Sequence, residues 1–171
     1  AYSHLAALSV DPNAEIIPCK TFDECFSKAS SEPENKIIIP ESNRITGNIG
    51  IEYLIFKHRL NIYMEHFQKI EHNLLGQPGS KLKNIKEVYS HAQGLSQCSK
   101  FIKENNLIEH IRADTAGSAE MISKTKNIKQ AAIASSLSAE IYGLKIIKKN
   151  IENDNGNLTR ILVMGKNISQ P

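Results

Sequence analysis

Thr159 and Arg160 open an apolar run, Ile161-Leu162-Val163-Met164, just after the polar turn Asn153-Asp154-Asn155-Gly156. A hydroxyl can give or take a hydrogen bond, and a guanidinium fork matches a carboxylate. In α/β proteins, strand ends beside a crevice are where ligand-handling groups sit. Both residues also have plainer readings: Thr159 suits a strand as a β-branched residue, and Arg160 suits an exposed edge. Asn43 follows the apolar run Ile37-Ile38-Ile39 and is either turn chemistry or a ligand contact. Ser90 ends a strand-like segment and reads as a helix N-cap, a position that also favours an anion. Gln97 lies two helical turns beyond it, on the same face if that helix is continuous. His91 is either an acid–base group or a structural helix-start residue. Thr115, before Ala116-Gly117-Ser118, is either a cap or a site-lining residue. Tyr142 reads as core at a helix end.

The elements that would position these residues follow from periodicity and punctuation. Helices are predicted over Ser3–Val10 with Ser3 as cap, Thr21–Ala29 capped by Thr21 or Asp23, and Gly47–Leu60. Further helices are predicted over Ala92–Asn105, Ala116–Lys124 and Ser136–Tyr142, the last closed by Gly143. Strands are predicted at Ile16–Pro18, Lys36–Pro40, Asn61–Leu75, Ile85–Ser90, Ile108–Arg112, Gln130–Ser135 and Ile161–Met164. Alternation of the two kinds implies an α/β class with parallel pairing.

Composition narrows the function classes. The 171 residues fit one domain or one bilobal domain, and 40% hydrophobic residues suffice for a core without Trp. A net charge of +3, from 21 basic and 18 acidic residues interspersed, describes a mixed surface and not a nucleic-acid patch. It suits a small anion. Cys19, Cys25 and Cys98 have no metal-binding spacing and read as reduced thiols, which places the protein in the cytoplasm. No apolar run approaches the ~20 residues of a membrane span, and no signal peptide is visible.

Several segments, in order, carry a resemblance. Tyr142-Gly143-Leu144 followed by Thr159-Arg160-Ile161 resembles the C-terminal signature of the prephenate dehydratase catalytic domain, with Ile161 in place of a phenylalanine. Ala1-Tyr2-Ser3-His4 resembles that family's opening helix start. Pro40-Glu41-Ser42-Asn43-Arg44 through Gly47 resembles its strand-loop motif. Glu65 through His72, Ser90-His91-Ala92-Gln93 through Gln97-Cys98, and Asp114-Thr115-Ala116 resemble three further motifs.

The resemblance implies a two-lobed fold of the type 2 periplasmic-binding-protein kind with a cleft between the lobes. One lobe would be about 1–64 plus the C-terminal segment, the other about 65–156. It implies conversion of prephenate to phenylpyruvate with loss of water and CO2, without cofactor or metal, in L-phenylalanine biosynthesis. Thr159 would be catalytic, and Asn43, Ser90, Gln97, Thr115 and Arg160 would bind substrate. It also implies a homo-oligomer, by default a dimer, with no nucleic-acid or membrane partner. The chain departs from the pattern at Ser42, where the family has glutamate, and at Arg44, where it has a small hydroxyl residue. Glu41 is not expected to substitute, because one step along a strand reverses a side chain. The initial strand and the regulatory ACT domain of the family are absent from the sequence. These departures leave a catalytically impaired remnant, or an anion-binding module of the same fold, as the alternative. A periplasmic solute-binding protein is the generic third reading, disfavoured by the missing signal peptide and the odd cysteine count.

Overall fold

The computed structural model describes residues 2–167. They form two compact units, one of Tyr2–Lys69 with the segment from Asn157 onward, the other of Ile70–Gly156.

The first unit is built on a four-stranded sheet. Its strands are β1 (Lys36–Asn43), β2 (Gly47–Asn48), β3 (Asn61–Lys69) and β9 (Leu158–Gly165), in the order β2-β1-β9-β3. All three pairings are antiparallel, which corrects the expectation of parallel pairing for Lys36–Pro40. A run of three isoleucines reports burial on both faces, and a central antiparallel strand meets that condition as well as a parallel one. Ile37, Ile39, Leu162 and Met164 face α2 (Phe22–Ser31) and α3 (Glu52–His58), which bring Phe26, Ala29 and Leu54 into the same core. Helix α2 starts where its cap dictates: the Thr21 hydroxyl accepts from the Glu24 N–H at 3.1 Å, and Asp23 and Glu24 occupy the first turn. Helix α1 (Tyr2–Val10) packs on β1 and β3, with Ser3 inside it and not at its cap. Ile16–Pro18 pairs with no strand among the described residues, and Ile17 is exposed. A three-residue extended piece ending in a proline offers too few ladder hydrogen bonds to hold.

The second unit has a five-stranded sheet of β4 (Asn73–Gly76), β5 (Glu87–Ser90), β6 (Ile108–Ile111), β7 (Gln130–Ala134) and β8 (Lys145–Lys148). Their order is β6-β5-β7-β4-β8. Here β5 pairs in parallel with β6 and β7, while β4 pairs antiparallel with β7 and β8. Both faces are covered, and period-2 alternation sorts the side chains. Leu74, Val88, Ala131 and Ile133 pack with α4 (Ala92–Gln97) and α5 (Ser99–Glu104) through Leu95, Cys98 and Ile102. Leu75, Ala132 and Ala134 pack with α6 (Thr115–Thr125) and α7 (Ser136–Tyr142) through Ala119, Ile122 and Ala139. Tyr142 is partly buried against this second cluster, and α7 closes on Gly143 at φ +63°, where a Cβ would be strained.

Three expected boundaries move. Asn61–Leu75 is two strands in two sheets, because Ile70–His72 leaves the ladder. Gly47–Leu60 is a two-residue strand followed by the short helix α3. Ala92–Asn105 breaks at Cys98, whose side chain is fully buried between α4 and α5. Strand β8 is not among the elements predicted from the sequence. Among the described residues no helix is long and apolar enough to cross a membrane. All three thiols are free. Burial pushes the Cys25 thiol up to about 12 and the Cys98 thiol higher still, so neither is a nucleophile at neutral pH.

Candidate functional site

In the first unit, β1 and β9 run side by side and place Asn43 opposite Thr159. The Asn43 amide nitrogen donates to Thr159 Oγ1 and to Asn157 Oδ1, both at 2.8 Å. Its carbonyl oxygen accepts from the backbone N–H of Ile45 at 2.9 Å and of Thr46 at 3.2 Å. An asparagine side chain has two donor hydrogens and two main acceptor directions. All four are therefore engaged, and Asn43 performs the turn chemistry and grips Thr159 together. Thr159 accepts through its oxygen, so its own proton remains to be given. Asn43, Asn157 and Thr159 are all buried.

Asn157 belongs to this cluster although its sequence context did not single it out. It is fully buried, and its Nδ2 has no partner among the described residues. The available signal was strand alternation, which puts Asn157 and Thr159 on one side of the chain.

Arg160 is on the opposite side of β9. It donates to Glu41 at 3.1 Å and, in a very short contact, to Glu65. Its hydrogen bonds to Glu65 and then to Glu41 hold the guanidinium further into the charged state, and Arg160 in turn draws the Glu65 carboxyl below the usual range. Glu41 reaches Arg160 because β1 carries a bulge. Pro40 faces Ile161 and Ser42 faces Arg160, so Glu41 is an extra residue between them. Ser42 Oγ donates to the same carboxylate at 2.5 Å. Strict reversal of side chains at each step holds only in an unbroken ladder. The bulge interrupts the ladder and puts the Glu41 carboxylate against Ser42. Arg44 is exposed, and its backbone N–H donates to Leu158 O at 2.9 Å.

In the second unit, the ends of β5 and β4 and the starts of α4 and α6 bring Ser90, His72 and Thr115 around Gly94. A Cβ on Gly94 would lie 2.8 Å from Ser90 Oγ, 3.6 Å from Thr115 Cγ2 and 3.7 Å from His72 Cε1. Only glycine permits that approach. Ser90 is not the N-cap it was expected to be. It belongs to β5, is fully buried, and donates to Ile133 O at 2.7 Å. The cap of α4 is His91, whose Nδ1 accepts from the Gln93 N–H at 3.3 Å. Thr115 is likewise not a cap. Asp114 holds that position, accepting from the Gly117 N–H at 2.6 Å, and Thr115 is the first helical residue. Gln97 reaches the group through His72 Nε2, 2.7 Å from its Oε1, and not through a shared helix face with Ser90. Glu152 stands behind His72, its Oε2 accepting from the His72 backbone N–H at 2.9 Å. No metal-binding cluster exists among the described residues.

Each unit thus carries a network of neutral hydroxyls and amides able to hydrogen-bond a small polar molecule, the first beside an ion-paired arginine and the second around a buried histidine. The family described as prephenate dehydratase matches residues 1–169. The chain belongs to the prephenate dehydratase family. It is 41% identical over 97% of its length to arogenate dehydratase/prephenate dehydratase 1, chloroplastic, of Arabidopsis thaliana, and spans 43% of that protein. It is 33% identical to the bifunctional N-acyl-homoserine lactone acylase/prephenate dehydratase of Komagataeibacter europaeus, covering 97% of this chain and 59% of that one. The crystal structure of the prephenate dehydratase from Staphylococcus aureus superposes with a TM-score of 0.84 at 26% identity, over 96% of this chain and 62% of that one. The architecture is thus the type 2 periplasmic-binding-protein-like α/β fold of prephenate dehydratases. The chain spans less than two-thirds of each of these relatives.

Proposed function

We propose that this chain catalyses conversion of prephenate to phenylpyruvate, with Thr159 as the catalytic hydroxyl. The reading rests on one observation above the others: Thr159 Oγ1 accepts from the Asn43 amide, leaving its proton for a ligand. In the reaction the ring carboxylate leaves as CO2, and its bonding pair becomes the new ring π bond. The ring hydroxyl departs as water once it has gained a proton. A threonine is a weak acid, but an amide donor on its oxygen polarises the O–H toward the leaving hydroxyl. Asn43 acts by holding Thr159, since its own amide is fully engaged. Asn157 Nδ2 is a spare buried donor beside it.

The ring carboxylate loses its charge in the reaction, so holding it tightly would stabilise the ground state. Arg160 meets that requirement by default: it lies on the other side of β9 from Thr159 with its charge offset by Glu41 and Glu65, so it does not clamp the departing carboxylate. The Glu41 carboxylate takes the place of the glutamate that the family has at Ser42. Gln97 supplies a neutral amide donor to the substrate. Thr115 supplies a hydroxyl, and Ser90, fully buried with its proton committed to Ile133, supports the group from behind. The net reaction takes up one proton: Thr159 gives it to the departing hydroxyl and regains it from solvent, while the pair from the broken C–C bond forms the ring π bond as the C–O bond breaks. The protein works as a homo-oligomer on this reading, which light scattering of the purified chain checks.

The test is turnover of prephenate by the folded 171-residue chain, followed as phenylpyruvate, beside Thr159→Ala. Turnover lost in the variant supports the reading. A folded chain that turns over neither prephenate nor arogenate overturns it.

A further inference from the structure

Gln97 and His72 are joined by one of the short side-chain contacts of the second unit's polar group, and the mechanism above uses only Gln97. The His72 residue is 2% exposed and is pinned from both sides of its backbone. Its N–H donates to Glu152 Oε2 at 2.9 Å, and its carbonyl accepts from the Ile151 N–H at 2.9 Å. The same short segment pins Gln97: the Asn153 N–H donates to the Gln97 carbonyl at 2.7 Å. A histidine held so firmly offers one fixed ring nitrogen to the Gln97 amide.

We infer that His72 is a positioning residue that sets the orientation of the Gln97 amide, holding its oxygen inward so that its NH2 is presented to the substrate. The inference rests on the dehydratase reading of this site. An amide oxygen can only accept, so His72 Nε2 must carry the hydrogen. Burial keeps the imidazole below its ordinary value and therefore neutral near pH 7. A neutral ring has one N–H, and the contact fixes which nitrogen bears it. Without that donor the amide can rotate by half a turn and present its oxygen, an acceptor, where an anionic ligand needs a donor. Gly94 lies beside the ring, 3.7 Å from His72 Cε1 to where its Cβ would be, and its missing Cβ leaves room for Ser90 Oγ.

The geometry can be tested without any activity. Long-range proton–nitrogen correlation spectra of the unaltered chain should show His72 as the Nε2–H tautomer, and an Nδ1–H tautomer would overturn the inference directly. The functional arm is a double-mutant cycle with His72→Phe and Gln97→Ala, folding being checked by circular dichroism. His72→Phe should lower kcat on prephenate roughly 100-fold, as loss of alignment does. His72→Gln, which can place an amide donor near the lost Nε2, should recover most of that loss. Adding His72→Phe to Gln97→Ala should cost no more than about twofold further, because the two act as one unit. A folded, fully active His72→Phe, or losses that multiply in the double variant, sinks the inference while wild-type turnover keeps the dehydratase reading. A folded wild type without turnover sinks both. Should His72→Phe not fold, the tautomer and the His72→Gln variant decide.

Discussion

The two units each centre a polar network on a side-chain amide, and the two amides are spent differently. Asn43 uses every donor and acceptor it has on its own unit. Gln97 uses its oxygen on His72, and its nitrogen has no partner among the described residues. A saturated amide can only position something else. A half-used amide can still bind. On the proposed reading the contrast gives Asn43 the support of Thr159 and Gln97 the contact with substrate, although the family motifs that carry them imply the same role for both. The charged groups divide in the same way. Arg160 is shared between two carboxylates at the surface, while the histidine and glutamate of the second unit are buried.

The contrast can be broken most forcefully at Thr159. Thr159→Ala should lower kcat by about 100-fold or more with little change in KM, since proton delivery is felt in the transition state. Thr159→Ser should keep much of the rate. Steady-state kinetics on prephenate checks both, and an unimpaired Thr159→Ala would remove the first unit from the chemistry.

Asn43→Ala should act on stability as well as rate, as a saturated amide must. It strands two backbone N–H groups and the Asn157 oxygen, a cost of about 2 kcal/mol. Thermal melts should show a fall in Tm of roughly 5 °C. Gln97→Ala should leave Tm closer to wild type, because only one bond is lost. Equal effects on Tm would erase the distinction between the two amides.

A smaller effect belongs to His72 and depends on pH. Its folded pKa is depressed by burial, so the folded protein refuses a proton that the unfolded chain accepts below about pH 6.5. The stability it contributes is complete above that pH and is lost as pH falls through the depressed folded value. Denaturant melts between about pH 7 and pH 5 should therefore lose stability more steeply in wild type than in His72→Gln. Glu152 is the acid beside His72, accepting from its backbone N–H, and remains in both proteins.

Glu65→Gln should have the least effect. It removes one exposed partner of Arg160 and leaves Glu41, so Tm should hardly move. Because Arg160 lies on the other side of β9 from Thr159, KM for prephenate should change by less than about threefold. A large rise in KM would instead make Glu65 part of the binding surface.

Residues with local signals are legible in the chain alone. The Thr21 cap, the Gly143 stop, the period-2 sorting of Ala131 to Ala134 and the family's ordered motifs all depend on neighbours within a few positions. Asn43 and Thr159 both stand out by type and place, but nothing in the chain says that one holds the other, because 116 positions separate them. His72 sits in a family-like motif that gives it no role, and Asn157 and Glu152 sit in none. A buried amide or carboxylate looks like any other in sequence until its partners are in place.

Hydrophobic period and motif order are local properties of the chain, and they suffice for the α/β class, the family and the short segments that carry polar groups at strand ends. The direction of pairing in the Lys36–Asn43 sheet, the bulge that turns Glu41 toward Arg160 and Ser42, and the division of labour between Asn43 and Gln97 belong to the folded molecule. Those depend on which distant backbone meets which. A hydrogen bond is satisfied by any partner of the right geometry, and a linear chain does not say which one will be within reach.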